Sequence, residues 1–235
     1  MQGQSLARFI IGIIGNIISA LLFVAPVPTM WRIWKKKSTE EFHPYPYLAS
    51  TMNCMLWVFY GMPFVHPDSI LVITINSFGL FIEILYLLIF MAYASNAKYR
   101  AVITIVFLAE VALLGVIAVI TVLCFHTFEM RSMFVGIICV IFGIIMYASP
   151  LSIIAKVMKT QSAEFMPFWL SLACFMNGIV WFIYAFLKSI DPYIASGNGI
   201  GAVLSSIQLY IYVYYTVKAK RSGRVESDAK HGETA

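Results

Sequence analysis

The feature that most constrains this chain is a series of seven apolar stretches, each about 20 residues long, the length needed to cross the hydrocarbon core of a bilayer. They cover residues 9–31, 45–65, 70–93, 101–125, 133–155, 167–187 and 193–216. Because 61% of the chain is hydrophobic and only 11% is charged, lipid must solvate most of it. The stretches lack the alternation of membrane barrel strands, so the sequence predicts an all-α integral membrane protein with seven transmembrane helices.

The distribution of Lys and Arg orients these helices. If the N-terminus lies outside, thirteen of the 16 Lys and Arg residues fall in cytoplasmic segments, and only Arg8, Arg131 and Lys188 fall outside. Short cytoplasmic loops of membrane proteins collect basic residues. We therefore predict an external N-terminus and a cytoplasmic C-terminus. The net charge of +5 is then a signal of topology and does not indicate a nucleic-acid partner.

The chain repeats itself with a shift of 124 residues. Residues 52–60, MNCMLWVFY, match residues 176–184, MNGIVWFIY, and residues 75–79 match residues 197–201 with a shift of 122. The shift of 124 also pairs Pro26 with Pro150, Ser38 with Ser162 and Glu40 with Glu164. So many matches in the same order indicate an internal duplication.

The duplication divides the chain into two repeats of three helices. The first repeat covers residues 9–93, the second covers residues 133–216, and a linker helix at 101–125 joins them. Three crossings reverse the direction of a chain and the fourth restores it, so we predict two parallel three-helix bundles in a 3+1+3 arrangement. Residues 217–235 are charged and poor in large apolar side chains, which predicts a disordered cytoplasmic tail.

Motifs in both repeats resemble the SWEET family of sugar transporters, in particular its plant members. The resemblance is carried by GNIISALLFVAPVPT, KKKSTEEF, PYLASTMNCMLWVFYGMPFV, TINSFG, IIMYASPLSI, SAEFMPFWLSL and GNGIGAVLSSIQL. It extends from Phe9 to about Tyr215. Parallel repeats with the substrate site where they meet are known for this family. The resemblance implies a uniporter that carries sugar in either direction, down its gradient, by alternating access.

Asn76 and Asn198 are candidate substrate ligands. Each lies five or six residues inside its span, and a carboxamide both donates and accepts hydrogen bonds, as a sugar hydroxyl does. The alternative interpretation is a hydrogen bond between helices, which is common for Asn in membranes. The resemblance implies that these two residues are the family's paired substrate asparagines.

Trp57, Trp181 and Met146 are further candidates for the substrate site. An indole ring can stack on the C–H face of a sugar. The resemblance matches Trp181 to a sugar-contacting tryptophan, and Met146 to a position that tends to hold Met in hexose carriers and Val in sucrose carriers. Position 57 differs between members and often holds a smaller residue. Trp57 and Met146 together favour a monosaccharide, and core or lipid-facing packing is the alternative for each.

Four prolines match the family's hinge residues near the cytoplasmic gate: Pro26, Pro46, Pro150 and Pro167. A proline inside a helix removes a backbone hydrogen bond and costs ~3 kcal/mol unless the helix kinks there. The alternative is a set of static kinks or, for Pro46 and Pro167, helix starts.

Tyr60 and Asp191 occupy the outer ends of spans two and six, where a phenol can donate to a carboxylate. The resemblance implies that this pair closes the extracellular side. The alternative is a tyrosine in an aromatic belt and an aspartate that starts a helix before Pro192.

We therefore expect a plasma-membrane facilitator for hexoses such as glucose, without a cofactor or a metal. An enzyme is not expected because no nucleophile or metal-ligand cluster is present, and the duplication disfavours a seven-span receptor. The second hypothesis is a proton-coupled carrier of amino-acid type on the same architecture, with Glu83 as its candidate carboxylate. The expected partners are the sugar and the bilayer. Relatives act alone or as homotrimers, and both states stay open.

Overall fold

The structure, a computed structural model, describes residues 2–94, 96–187 and 189–232. Over these residues the chain forms α-helices and one short 3₁₀-helix, Ala163–Phe165, and contains no β-strand. The α-helices are α1 (Gln2–Val24), α2 (Val27–Lys36), α3 (Tyr45–Gly61), α4 (Ile70–Tyr93), α5 (Ala97–Cys124), α6 (Phe128–Met146), α7 (Ala148–Thr160), α8 (Phe168–Phe186) and α9 (Pro192–Gly232). The prediction of an all-α fold is confirmed.

Within the described residues, the helices are long and apolar enough to cross a membrane at six places, by length and composition alone. These places are Leu6–Lys36, Ile70–Tyr93, Ala97–Cys124, Phe128–Thr160, Phe168–Phe186 and Pro192–Arg221. The remaining predicted span, the second at residues 45–65, corresponds to α3, which has 17 residues. At 1.5 Å per residue α3 is about 26 Å long, close to the thickness of the hydrocarbon core.

The first and fifth predicted spans are each broken in two. The break between α1 and α2 is at Ala25 and Pro26, and the break between α6 and α7 is at Tyr147. Pro26 is the N-cap of α2, and Pro150 lies in the first turn of α7. A proline is tolerated at these positions because the first N–H groups of a helix have no partner within it.

The two repeats pack their helices in the same order. In the first repeat α4 packs against α1 and α3, and in the second α9 packs against α6 and α8. Between the repeats, α1 packs against α8 and α3 packs against α6, while the linker α5 packs against α3, α4 and α6. This is the predicted 3+1+3 arrangement, and it places a seam between two three-helix bundles.

The bundle has two ends, which we call the N-terminal face and, after the lysines in the last turns of α2 and α7, the basic face. The N-terminal face is the one at which α1 begins and α3 ends, and the basic face is the one at which α2 and α7 end. The duplication is visible in the backbone of the basic face, since Lys37 and Gln161 end these two helices in the left-handed conformation. Directly after them, Ser38 and Ser162 each accept a hydrogen bond from the backbone N–H two residues on.

The C-terminal segment differs from the prediction. The sequence predicts disorder over residues 217–235, whereas α9 continues without a break to Gly232. Ala, Lys, Arg and Glu in this segment favour a helix, and extending an existing helix needs no new nucleus. Residues 233–235 lie outside the described residues.

Candidate substrate cavity

A cavity of about 260 Å³ lies at the seam between the two bundles. All three spans of each repeat contribute to its wall: α1, α3 and α4 from the first repeat, and α6, α8 and α9 from the second. The structure brings together the five residues predicted for the substrate site, which are Trp57, Asn76, Met146, Trp181 and Asn198.

Asn76 and Asn198 have the same geometry in the two repeats. The Asn76 Nδ2 donates to the Val72 carbonyl at 2.9 Å, and the Asn198 Nδ2 donates to the Ile194 carbonyl at 3.0 Å. Both bonds run to the residue four positions earlier in the same helix, so neither side chain bonds to a neighbouring helix in the described part of the chain. Each amide keeps one N–H and its oxygen for a ligand.

The two tryptophans differ in their surroundings. The Trp181 Nε1 donates to the Ser19 Oγ at 3.0 Å, so its N–H is not available to a sugar and its ring face is. The ring of Trp181 is buried against Gly15 of α1, where an added Cβ would lie 2.9 Å from Cε2. Trp57 is half-buried and meets the ring of Tyr60 edge-on, with the ring centroids 5.3 Å apart.

Four further polar side chains line the cavity, and the sequence interpretation missed them: Ser19, Ser50, Asn53 and Asn177. A signal for the two asparagines was present, because Asn53 and Asn177 are matched by the same shift of 124 as the tryptophans. Each lies four residues before a tryptophan, and residues at i and i+4 share one face of a helix. Asn177 accepts a 2.6 Å hydrogen bond from the Ser19 hydroxyl.

Glu83 lies behind the cavity wall rather than in it. Its Oε1 accepts a 2.8 Å hydrogen bond from the hydroxyl of Ser50, which does line the cavity. Its Oε2 is buried and has no hydrogen-bond partner among the described residues. Because Ser50 gives its only proton to Glu83, its oxygen can act only as an acceptor toward a ligand.

The bundle is closed at its N-terminal face by a cluster around Tyr60 and Asp191. The Tyr60 hydroxyl donates to the Asp191 Oδ2 at 2.9 Å, and both residues are buried. The Asp191 Oδ1 accepts from the backbone N–H groups of Tyr193 and Ile194 and caps α9. Asp191 therefore has both of the properties considered for it, a helix start and a partner of Tyr60.

His66 belongs to this cluster, although the sequence interpretation assigned it no such role. Its Nε2 lies 3.3 Å from the Asp191 Oδ2, its Nδ1 lies 2.9 Å from the Ser132 Oγ, and its ring stacks on Tyr60. Burial lowers the pKa of His66, and the charge of Arg8 lowers it further, while Asp191 and Asp68 oppose this shift.

At the basic face, the helix ends pack within their own repeats. α2 packs against α4, and α7 packs against α9. Of the four predicted hinge prolines, Pro26 and Pro150 lie at the two helix breaks, whereas Pro46 lies in the first turn of α3 and Pro167 is the N-cap of α8. Pro46 and Pro167 thus occupy helix starts, where the missing N–H removes no helix hydrogen bond.

A hydrogen-bonding cavity between two parallel bundles is the arrangement of a secondary transporter. The sequence profile of a family described as "Sugar efflux transporter for intercellular exchange" matches residues 9–98 and 133–220. The chain therefore belongs to this family of membrane transporters, the SWEET family, and not to a family of enzymes.

Named relatives and a solved structure agree with this assignment. The chain is 54% identical to a protein of Arabidopsis thaliana named bidirectional sugar transporter SWEET5, over 92% of this chain and 89% of that protein. It is 46% identical to bidirectional sugar transporter SWEET7b of Oryza sativa subsp. japonica, over 96% of this chain and 85% of that protein. A solved structure described as a eukaryotic SWEET transporter is similar with a TM-score of 0.86 and 36% identity, covering 91% of this chain and 99% of that one.

Proposed function

We propose that this protein is a uniporter for a neutral monosaccharide such as glucose and carries it in either direction by alternating access. The observation that carries the proposal is the composition of the cavity wall. Four carboxamides and two indole rings line it, and among the described residues no Asp, Glu, Lys, Arg or His lines it. Such a wall offers donors, acceptors and ring faces to a polyhydroxyl ring, and it offers no charged partner to the ammonium or carboxylate of an amino acid.

The size of the cavity supports a monosaccharide over a disaccharide. Its volume of about 260 Å³ is slightly below the ~300–1,000 Å³ typical of pockets for small molecules. Met146 and Leu22, which the shift of 124 pairs, line the cavity from the two repeats. Since Trp57 adds a second large ring, the wall leaves space for one sugar ring rather than two.

The closed N-terminal face supports alternating access with an external N-terminus. Tyr60, His66 and Asp191 close that face, whereas α2 and α7 at the basic face pack within separate repeats. With the basic face in the cytoplasm of a plasma membrane, the arrangement is closed to the outside. Release of the Tyr60 hydroxyl from Asp191, with bending at the breaks beside Pro26 and Pro150, would then open the other side.

Proton coupling is the second candidate, and Glu83 is the observation that favours it. Its carboxyl is buried next to Ser50 of the cavity wall, with one oxygen lacking a partner among the described residues. A coupled carrier would lose sugar accumulation when a protonophore removes the proton gradient, and sugar would evoke an inward current. A uniporter shows neither effect, so these two measurements separate the candidates.

The test of the proposed function is uptake of labelled glucose and labelled sucrose, side by side, in cells that lack their own transporters. We expect uptake of glucose in preference to sucrose. Asn76→Ala and Asn198→Ala should each abolish uptake at an unchanged amount of surface protein, because each removes a donor and an acceptor from the cavity. Asn96→Ala removes the N-cap of α5 outside the cavity and is the control: at an equal amount of surface protein it should transport normally. Normal uptake by the two cavity variants would remove these asparagines from the site.

A further inference from the structure

The two walls of the cavity are related by the duplication but are not equivalent. The shift of 124 pairs the tryptophans and the asparagines of α3 and α8 with each other, but it pairs a serine of α1 with a glycine of α6. The pairs are Trp57 with Trp181, Asn53 with Asn177, and Ser19 with Gly143. Trp181 and Asn177 of α8 therefore have the hydroxyl of an α1 serine beside them, whereas the residue that the shift of 124 pairs with this serine is a glycine.

Ser19 uses this hydroxyl to connect the two repeats. It lies on α1 of the first repeat and is 7% exposed, and both of its partners lie on α8 of the second repeat. It accepts a hydrogen bond from the Trp181 Nε1 at 3.0 Å and donates one to the Asn177 Oδ1 at 2.6 Å. The Trp181 indole and the Asn177 amide are thereby held by one oxygen atom.

These bonds determine which groups of Trp181 and Asn177, the second-repeat wall of the cavity, remain available to a ligand. Asn177 has used its oxygen, so its two N–H groups remain as donors. Trp181 has used its N–H, so its ring face remains. Gly15, one turn before Ser19, allows α1 to lie directly against the indole, since an added Cβ would be 2.9 Å from that ring.

The first-repeat wall, formed by Trp57 and Asn53 of α3, has no counterpart of the two hydrogen bonds that Ser19 makes. Gly143 has no hydroxyl, and a Cβ added there would meet nothing within 4 Å. The side chains of Trp57 and Asn53 make no hydrogen bond in the described part of the chain, and both are half-buried. Unlike Trp181 and Asn177, they are not held by a shared hydrogen-bond partner among these residues.

We propose that Ser19 is a positioning residue, which holds Trp181 and Asn177 as a fixed platform for the sugar ring. Trp57 and Asn53 then adapt to the sugar from the opposite side. The proposal deepens the proposed function because it concerns the same cavity. A fixed platform raises affinity since a ligand does not have to order it on binding.

The test begins with KM and maximal rate of glucose uptake for the wild type, Ser19→Ala and Ser19→Thr, at equal surface amounts. Ser19→Ala removes the hydroxyl, and we expect KM to rise about tenfold with the maximal rate within about twofold of the wild type. The ratio of glucose to galactose uptake should also move toward one, because the donors of Asn177 are no longer aimed. Ser19→Thr keeps the hydroxyl and should restore both values. Ser206→Ala on the exposed side of α9 is the matched control and should change neither.

A double-mutant cycle identifies the partner through which Ser19 acts. Trp181→Phe keeps a ring but removes the N–H, so in that background Ser19→Ala should have a smaller effect on KM. In the Trp57→Phe background the effect of Ser19→Ala on KM should be undiminished.

Equal effects of Ser19→Ala in both backgrounds would overturn the proposal, as would an unchanged KM and sugar ratio in Ser19→Ala. A fall in maximal rate and surface amount alone, with KM unchanged, would also overturn it, because that outcome indicates a purely structural serine. Failure of the wild type to take up any sugar would instead refute the proposed function.

Discussion

The substitution Tyr60→Phe removes one hydroxyl from the closed N-terminal face and leaves the ring in place. The ring stacks on His66 with centroids 4.8 Å apart and meets Trp57 edge-on at 5.3 Å, and phenylalanine can keep both contacts. The bond that is lost is the 2.9 Å hydrogen bond from the hydroxyl to the Asp191 Oδ2. Because that bond joins α3 to the start of α9, its loss weakens the closure between the two repeats specifically.

The size of the effect follows from the state of the two partners. Both are almost fully buried, with 0% of Tyr60 and 2% of Asp191 exposed, and a hydrogen bond to a charged group contributes ~1.5–3 kcal/mol. Asp191 keeps His66 beside its Oδ2 and two backbone donors on its Oδ1, so the lower end of that range applies. At about 1.4 kcal/mol per factor of ten, the ratio of closed to open protein should fall about 10- to 30-fold.

The fraction of open protein can be measured through Cys139, a free cysteine that is 0% exposed and belongs to the same buried cluster as Tyr60. In a variant that keeps Cys139 as its only cysteine, we expect Tyr60→Phe to speed labelling by an impermeant thiol reagent, added outside, by about tenfold. Tyr193→Phe is the control, since its ring also touches Tyr60 but its hydroxyl makes no hydrogen bond among the described residues. Equal labelling of Tyr60→Phe and the parent, or an equal rise in both variants, would refute the argument.

Three other predictions concern single residues of the cavity and of the closed face. Met146→Val removes bulk from the cavity wall and should raise the ratio of sucrose to glucose uptake about tenfold, measured with both labelled sugars. Glu83→Gln keeps an acceptor for the Ser50 hydroxyl and should transport glucose at nearly the wild-type initial rate, whereas Glu83→Leu should be about fivefold slower. Because burial in the closed face lowers the pKa of His66, protonation of His66 disfavours that face: its stability is full above about pH 6.5 and is lost as the pH falls through the lowered pKa. Lowering the outside pH to about 5.5 should therefore speed labelling of Cys139, but not in His66→Gln.

The parts of the molecule that the duplication encodes could be predicted from the sequence. Asn76 and Asn198 stand at matched positions in two aligned segments, and helices of matched sequence pack in matched order, so both were expected to face the same seam. The same reasoning predicts that Ser38 and Ser162 have similar surroundings, and each indeed accepts the same local hydrogen bond. Two copies of one pattern restrict the possible three-dimensional arrangements more than a single copy does.

The features that could not be predicted are those in which one repeat differs from the other. Ser19 bonds across the seam to α8, and its counterpart Gly143 has no hydroxyl, so comparison of the repeats gives no sign of this contact. His66 lies in an irregular loop, where hydrophobic periodicity gives no information about contacts. The helix over residues 217–232 was not predicted because their composition was considered alone, without the apolar helix that they continue.

In the proposed alternating access, Asp191 would allow the closed face to open while the helix behind it stays formed. Its two carboxylate oxygens have separate tasks, because Oδ1 caps α9 through two backbone N–H groups while Oδ2 receives Tyr60 and His66. Breaking the bonds to Oδ2 therefore leaves the cap, worth ~1 kcal/mol, in place. The other direct bonds across this face include those of Ser132 to the Val65 carbonyl at 2.8 Å and of Arg131 to the Phe64 carbonyl at 3.0 Å. A closure made of a few such bonds differs from the open state by only a few kcal/mol, which is the condition for both states to be populated during transport.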